Sequence, residues 1–243
     1  MSNWSIAGEG VPSAFQTLQA AVASEGEEIN ANWMSRLVLV QADENRYYVK
    51  VYASRGRGLR RWLGRSRLRA EWENLLLFRD LGVPTAEVVA FGETMTSTGY
   101  QGALVIREIS GTRDLASLDR ENHPVLEDRV WRAGAIRRLA AAVRTLHDHG
   151  FIHNDLKWRN ILVEPEADPG VYIIDCPQGR RMPGPFMSRG RIKDMACLDK
   201  VAKHRISRSE RLRFYLACKG RRRLQPSDKG EIRKILSFFS GRE

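Results

Sequence analysis

The first half of the chain alternates apolar and polar positions in the way that is typical of β-strands. Residues 33–40 and 46–52 are rich in β-branched and aromatic side chains. Turn-forming residues at 42–45 separate these runs, so the pattern predicts a hairpin that opens the fold. Two further apolar runs, 88–93 and 103–109, predict two more strands.

One helix is predicted between these two pairs of strands. Apolar residues recur at helical spacing over 68–81, and Gly82 followed by Pro84 is a stop signal. The first half therefore has the order strands, helix, strands.

The second half of the chain is predominantly helical in pattern. Apolar residues from Trp131 to Leu146 lie on one face of a long helix that ends at Gly150. A small hairpin is predicted for 161–163 and 171–174, because turn-forming residues separate the two runs. Three more helices are predicted over 190–204, 207–218 and 228–239, and Ser207 with Glu210 has the spacing of a capping box.

This division predicts an α+β fold of two lobes within the 243 residues. We expect a strand-rich N-lobe over residues 1–109 and a helical C-lobe over residues 110–243. The N-terminal segment lacks the pattern of a signal peptide, and no apolar run is long enough to span a bilayer. Three cysteines are too few for a disulfide scaffold, so we expect buried thiols in a cytoplasmic protein.

Positive charge is concentrated at two places. The chain has a net charge of +11, and residues 180–243 alone contain 19 basic and 6 acidic side chains. A second cluster of seven arginines lies between Arg55 and Arg69, with no acidic residue among them. Such patches indicate an anionic partner. A nucleic-acid surface is the weaker interpretation, because no nucleic-acid-binding motif accompanies the basic helices.

The segment between the long helix and the small hairpin contains the most informative polar residues. It reads His153-Asn154-Asp155-Leu156-Lys157-Trp158-Arg159-Asn160, with Asp155 and Asn160 five positions apart. Phosphoryl transfer uses such a pair, because a carboxylate orients the attacking hydroxyl and an amide oxygen binds Mg²⁺. Asp175, at the end of the next apolar strand, adds a second carboxylate for the same metal.

A lysine in the N-lobe completes this pattern. Lys50 alternates with apolar neighbours in its strand, and a lysine in such a position needs a carboxylate to stay charged. Glu71 on the following helix is our choice, and Glu73 is the alternative.

With these residues the sequence resembles the protein-kinase-like fold, and more narrowly the bacterial lipopolysaccharide kinases that phosphorylate inner-core heptose or Kdo. The narrower resemblance covers about residues 28–204 and rests on the following stretches: Tyr48-Val49-Lys50-Val51-Tyr52, Glu71-Trp72-Glu73-Asn74-Leu75, Gly82-Val83-Pro84-Thr85, Val89-Ala90-Phe91-Gly92-Glu93, the Asp155 segment, Ile173-Ile174-Asp175 and Arg191-Ile192-Lys193-Asp194.

The resemblance implies a role for each matching residue. ATP and Mg²⁺ are the implied cofactors, and the adenine would bind the backbone of Arg107 to Ser110. Asp194 would hold the catalytic loop by accepting backbone hydrogen bonds. The remaining implied roles are catalysis by Asp155 and Lys157, nucleotide binding by Lys50, Glu71, Glu108 and Ser110, and metal binding by Asn160 and Asp175.

The sequence also departs from the kinase pattern. No glycine-rich loop precedes Lys50, so phosphate gripping would rely on Asn32, Ser35 or Arg36. Asp175 is followed by Cys176 and Pro177, and no A-P-E follows, which favours a small or glycolipid acceptor over a protein. We expect the substitution Cys176→Phe to be tolerated or mildly disruptive.

The leading expectation is an ATP-dependent kinase that phosphorylates a lipopolysaccharide inner-core sugar, with heptose favoured. It would act on the lipid A-core acceptor while bound peripherally to the anionic inner membrane. The alternatives are a kinase-fold phosphotransferase for another sugar or a protein, and a pseudokinase scaffold that binds nucleotide or membrane.

Overall fold

The structure is a computed structural model that describes residues 3–7, 11–55, 64–97 and 99–241. The chain divides into two compact units, of which unit 1 comprises residues 1–77 and 86–110, and unit 2 comprises residues 78–85 and 111–243. The strands are β1 (Asn3–Ile6), β2 (Glu27–Ala31), β3 (Ser35–Ala42), β4 (Asn45–Tyr52), β5 (Val88–Thr96), β6 (Gly99–Arg107), β7 (Arg113–Asp114), β8 (Phe151–Ile152), β9 (Ile161–Val163), β10 (Val171–Ile173) and β11 (Arg180–Arg181). The helices are α1 (Leu18–Val22), α2 (Arg67–Asp80), α3 (Leu115–Arg120), α4 (Arg129–Asp148), α5 (Gly184–Arg205), α6 (Arg208–Cys218) and α7 (Asp228–Ser237).

Unit 1 is built on a six-stranded antiparallel sheet in the order β1-β5-β6-β4-β3-β2. The predicted hairpin is β3 and β4, in which Leu37 pairs with Lys50. The expectation that this hairpin opens the fold is wrong, because β1, α1 and β2 precede it.

The core of unit 1 lies on one face of this sheet and explains the position of α1. The sheet residues Val49 and Val105, which pair on β4 and β6, belong to a buried apolar cluster. The same cluster includes Phe15, Leu18 and Ala21 from α1 and the turn before it. The ring of Phe15 also contacts Tyr47 edge-on, with centroids 5.1 Å apart. This burial of apolar area is the term that holds the short helix in place.

Helix α2 begins and ends where the sequence signals predict. Ser66 is its N-cap, since the hydroxyl oxygen of Ser66 accepts the backbone N–H of Arg69 at 3.0 Å. At the other end Gly82 has φ of +69°, a conformation that glycine adopts without steric cost.

Unit 2 is helical, with two small sheets that support its loops. Strands β9 and β10 form the predicted hairpin, and β7 adds to the edge of β9. The long helix α4 is capped by Asp128, whose carboxylate accepts the N–H groups of Val130 and Trp131, and it stops before Gly150 at φ +72°.

Three helices complete unit 2. The capping box of α6 is confirmed, because the Ser207 hydroxyl and the Glu210 carboxylate bond reciprocally to each other's backbone N–H. Helix α5 begins six residues earlier than the pattern indicates, at Gly184. In the part of the chain that the structure describes, none of the helices has the length and apolar character to cross a membrane.

Candidate active site

The catalytic-loop segment of unit 2 is held in place by one buried carboxylate. Asp194 of α5 is 1% exposed and accepts the backbone N–H of His153 at 2.9 Å and that of Asn154 at 2.8 Å. The expected role of Asp194 is therefore confirmed. Asn154 has φ of +67°, and the two hydrogen bonds help to offset the cost of that conformation.

His153 supports the loop from inside. Its ring is fully buried, and its Nδ1 lies 3.4 Å from the backbone N–H of Asp155, which donates to it. Burial lowers the pKa of His153, although the carboxylates of Asp194, Asp175 and Asp155 oppose that shift. The imidazole is therefore neutral at pH 7, as acceptance of a hydrogen bond by Nδ1 requires.

Asp155 projects from this loop toward two cations. Its carboxylate is 15% exposed, with Lys157 Nζ 2.5 Å from Oδ1 and Arg159 Nη2 3.5 Å from Oδ2. A carboxylate at this position is the kind of group that can accept a proton from a hydroxyl. The contact from Arg159 was not among the sequence expectations, although its i, i+4 spacing to Asp155 is a readable signal.

A backbone hydrogen bond ties Asn160, one of the two expected metal ligands, to the residue before Asp175, the other. The N–H of Ile174 donates to the carbonyl of Asn160 at 3.0 Å. The side-chain amide nitrogen of Asn160 donates to the carbonyl of Asp155 at 2.8 Å, so the amide oxygen is the atom that can bind a cation.

This pair of oxygen donors fits Mg²⁺. A carboxylate and an amide oxygen are the hard ligands that Mg²⁺ prefers, and Asp175 has the φ of +56° that is often found at functional sites. The described residues contain no group of three or more His, Cys, Asp or Glu side chains arranged as a metal centre. The remaining ligands of an Mg²⁺ ion here would come from phosphate and water.

The strand that leads to Asp175 is fixed by the Gly-Val-Pro-Thr stretch. Ile173 donates its N–H to the carbonyl of Pro84 at 2.9 Å, and its own carbonyl accepts the hydroxyl of Thr85 at 2.7 Å. These two bonds explain why residues 78–85 belong to unit 2. Pro84 and Thr85 therefore hold β10 in place, a role that the composition of the stretch does not indicate.

In unit 1, Lys50 pairs with the carboxylate chosen from the sequence. Lys50 Nζ lies 2.5 Å from Oε1 of Glu71, and the side chains are 18% and 0% exposed. The alternative, Glu73, faces solvent and pairs with Arg65 at 2.7 Å. A buried pair of this kind keeps the lysine charged and in a fixed position.

The expected adenine-binding backbone lies at the end of β6. The N–H of Glu108 donates to the carbonyl of Arg46 at 2.8 Å, so in the structure this N–H serves the sheet. The Glu108 side chain pairs with the Arg46 guanidinium at 3.3 Å. Nucleotide binding by Glu108 and Ser110 through other backbone groups stays a prediction.

The polar side chains of the turn that replaces the glycine-rich loop make hydrogen bonds within unit 1. Oδ1 of Asn32 accepts the N–H groups of Met34 and Ser35 at 2.9 and 3.2 Å. The guanidinium of Arg36 donates to the carbonyls of Val22 and Ser24. Oδ1 of Asn32 and the guanidinium of Arg36 therefore bind other groups of the protein, and phosphate binding by Asn32, Ser35 or Arg36 stays a prediction.

The arginine cluster is partly neutralised within unit 1. Arg65 pairs with Glu73, and the Nε of Arg69 lies 2.8 Å from Glu93 on β5. Because acidic residues elsewhere in the sequence reach the cluster, it needs an external anion less than its composition indicates. Three further arginines of the cluster lie outside the described residues: Arg57, Arg60 and Arg61.

Cys176 occupies a tightly packed position beside the loop. Its side chain is fully buried, and its Sγ lies 3.8 Å from the carbonyl of His153. A Cβ on Gly179 would lie only 2.3 Å from this sulfur. The packing leaves no room for a larger side chain, so the expectation that Cys176→Phe is tolerated conflicts with the structure. All three cysteines are free and buried.

Comparison with solved structures identifies the fold of this chain. A solved structure described as "WaaP in complex with acyl carrier protein" superposes with a TM-score of 0.71, at 22% identity, over 91% of this chain and 90% of that one. WaaP has a protein-kinase-like fold, so the fold class expected from the sequence is confirmed.

Two curated proteins match parts of the chain. The 3-deoxy-D-manno-octulosonic acid kinase of Vibrio parahaemolyticus is 26% identical over 116 residues, which are 48% of this chain and 45% of that enzyme. The calcium/calmodulin-dependent protein kinase cmkB of Emericella nidulans is 34% identical over 98 residues, which are 35% of this chain and 24% of that kinase. The chain thus spans less than half the length of these relatives.

A family model supplies the broader match. The model of the lipopolysaccharide kinase (Kdo/WaaP) family matches residues 13–217, which include Lys50, Asp155, Asn160 and Asp175. With most of its length matched, this chain belongs to the lipopolysaccharide kinase (Kdo/WaaP) family.

Proposed function

We propose that this protein is an ATP- and Mg²⁺-dependent kinase that phosphorylates a sugar hydroxyl of the lipopolysaccharide inner core. The observation that carries the proposal is the carboxylate of Asp155, which stands on a loop fixed by Asp194 and lies 2.5 Å from Lys157 Nζ. A carboxylate so placed is equipped to orient an acceptor hydroxyl and take its proton.

The chain's own residues divide the work of phosphoryl transfer. Lys50, kept charged by Glu71, would bind the nucleotide phosphates, and the carbonyl of Glu108 with Ser110 would bind the base. Lys157 would neutralise charge that develops on the transferred phosphoryl group. Bound Mg²⁺, held by Asn160 and Asp175, would supply electrostatic stabilisation of the phosphates.

We propose a heptose as the acceptor sugar, with Kdo as the alternative that the same experiment distinguishes. Support for an inner-core sugar comes from the family match and from the Vibrio relative, which is a Kdo kinase by name. A pseudokinase scaffold is disfavoured because Lys50, Asp155, Asn160 and Asp175 are all present, and the first three have supporting contacts.

A peripheral location on the cytoplasmic face of the inner membrane is part of the proposal. Exposed basic residues follow α6 and continue along α7, where Leu224 and Leu236 are 42% and 55% exposed. Basic and apolar side chains together favour attachment to an anionic bilayer, at roughly 1 kcal/mol for each Lys or Arg near the surface. The exposed basic residues are Arg222, Arg223, Lys229, Arg233 and Lys234.

We also propose that an acyl chain binds inside unit 2. A cavity of about 610 Å³ lies among α4, α5, α6 and α7, and most of its lining is apolar, including Leu139, Met195, Leu198, Leu212 and Ile232. Its volume is within the range of small-molecule sites. Since the structural neighbour is in complex with acyl carrier protein, an acylated carrier protein is the partner to test.

Two experiments separate these proposals. Transfer of ³²P from ATP to purified lipid A-core, followed by mass spectrometry of the sugar that gains the phosphate, tests the kinase and its acceptor.

Native mass spectrometry with acylated and non-acylated carrier protein tests the cavity. Binding should require the acyl chain and should be lost in Ala202→Trp, which fills the cavity, whereas equal binding of both carrier forms would contradict it.

A further inference from the structure

Glu93 of β5 is the centre of a hydrogen-bond network at the start of α2. Its Oε2 accepts the hydroxyl of Ser66 at 2.5 Å and the phenol of Tyr100 at 2.8 Å. Its Oε1 accepts the Nε–H of Arg69 at 2.8 Å. One carboxylate thus joins the N-cap and first turn of the helix to two neighbouring strands.

The sheet register places this network on the same face as Lys50. Glu93 pairs with Gly102 on β6, and Lys50 pairs with Leu104, which is two residues further along β6. Directly paired residues share a face of the sheet, and so do residues two apart on one strand. Glu93 and Lys50 therefore both point toward α2.

Gly102 makes room for this arrangement. A Cβ at Gly102 would lie 2.8 Å from the phenolic oxygen of Tyr100 and 2.8 Å from Cδ2 of Leu68. Both distances are too short for a side chain, so glycine at this position lets Leu68 of α2 pack on the sheet while Tyr100 reaches Glu93.

Helix α2 is consequently attached to the sheet at two polar points. Ser66 and Arg69 bind Glu93, and Glu71 binds Lys50. Glu93 and Lys50 stand on β5 and β4, on either side of β6, so the two attachments grip the sheet at separate points. Two separate attachments fix both the rotation and the axial position of α2.

We propose that Glu93 is a positioning residue, which through Ser66, Arg69 and Tyr100 sets the orientation of α2 and thereby keeps Glu71 on Lys50. The inference rests on the proposed kinase function for its consequence, since a displaced Lys50 would bind nucleotide phosphates poorly. Loss of Glu93 releases the helix end, and the Lys50–Glu71 pair then opens more often.

The protonation states of the network are suited to this task. Burial alone would raise the pKa of Glu93, but the hydrogen bonds from Ser66, Arg69 and Tyr100 outweigh it and lower the pKa. Burial raises the pKa of Tyr100 well above its ordinary value. Ionised Glu93 and protonated Tyr100 therefore form a stable acceptor and donor over the physiological pH range.

The experiment measures how fast Lys50 is acetylated by N-hydroxysuccinimidyl acetate, using the full chain and peptide mass spectrometry. Glu71→Gln sets the rate for a broken pair. Glu93→Gln should raise the wild-type rate by about threefold to tenfold, and Tyr100→Phe, a milder change, should raise it less. Glu73→Gln is the matched control on the same helix, and its rate should equal that of the wild type.

A double variant gives the decisive comparison. If Glu93 acts through the pair, Glu71→Gln/Glu93→Gln is acetylated no faster than Glu71→Gln alone, and Glu93→Gln raises the KM for ATP more than it lowers kcat. A wild-type acetylation rate in both Glu93→Gln and Tyr100→Phe, or independent effects in the double variant, would overturn the inference. Acetylation requires neither nucleotide nor acceptor, so this outcome is separate from failure of the kinase proposal.

Discussion

The carboxylate of Asp194 accepts the backbone N–H of His153 at 2.9 Å, across 41 residues of sequence. The same carboxylate accepts the N–H of Asn154 and lies 3.2 Å from Nε2 of His147 on α4. A single buried side chain thus ties α4, α5 and the catalytic loop together.

Replacement of Asp194 should therefore damage both the fold and the reaction. Asp194→Ala leaves two buried N–H groups without an acceptor, which costs about 1 to 3 kcal/mol for each group in the free energy of unfolding. Chemical denaturation and the transfer assay measure the two effects. Asp148→Asn, which removes an exposed pair with Arg144, is the control and should change neither by much; equal effects of the two variants would contradict this role.

Asp175→Asn should remove the benefit of Mg²⁺ for nucleotide binding. The carboxylate is expected to act through the ion, so ATP affinity without metal should stay at the wild-type level. Calorimetric titration with ATP, with and without Mg²⁺, measures both values. Asp168→Asn, which lies in the exposed β9–β10 loop and pairs with Arg138, is the control. An identical Mg²⁺ dependence of Asp175→Asn and wild type would refute the metal role.

His153 should give the protein an acid-sensitive stability. Burial lowers its pKa below the ordinary value of 6.5 in the folded state, so below about pH 6.5 the unfolded chain binds the proton more readily. The free energy of unfolding then falls with decreasing pH, by up to about 1.4 kcal/mol per pH unit from this group. Denaturation between pH 7 and pH 5 should show a shallower slope for His153→Asn.

The exposed imidazole of His149 provides the control for that slope. His149 lies exposed at the end of α4, where its Nδ1 is 2.8 Å from the carbonyl of Thr145, and His149→Asn is measured beside His153→Asn. The same slope in His153→Asn and wild type would show that His153 does not contribute to it.

Gly179→Ala should destabilise unit 2 by overpacking. The added Cβ would meet Sγ of Cys176 at 2.3 Å and Cζ of Phe151 at 2.5 Å, and such insertions cost about 1 to 3 kcal/mol. Cys176→Phe should be at least as damaging, for the same reason. Thermal unfolding measures the change, and Gly184→Ala, whose Cβ would have no atom within 4 Å, is the control. A thermal unfolding midpoint of Gly179→Ala equal to that of the wild type would contradict the predicted overpacking.

The sequence predicts those parts of the site that depend on local pattern. Lys50 alternates with apolar residues in a strand, and Glu71 lies on the inner side of an amphipathic helix, so the partner of Lys50 is predictable. Asp155, Asn160 and Asp175 are proposed from the sequence because their order and spacing match the pattern used in phosphoryl transfer. The capping box at Ser207 is equally local.

The parts that the sequence does not predict depend on distant residues or on short elements. Helix α1 and strand β1 have only five and four residues, so neither contains enough periodicity to be detected. Arg69 meets Glu93 across 24 positions, and no pattern in the arginine cluster indicates that pairing. The hydrogen bond from the N–H of Met34 to Oδ1 of Asn32 is likewise not predictable from the sequence pattern.

The most direct test of the account is phosphoryl transfer by the Asp155→Ala variant. We expect the rate of ³²P transfer from ATP to the lipid A-core acceptor to fall by a factor of about 10² to 10⁴, while the Kd for Mg²⁺-ATP stays close to that of the wild type. Turnover of Asp155→Ala near the wild-type rate would contradict the assignment of Asp155, and with it the proposed mechanism.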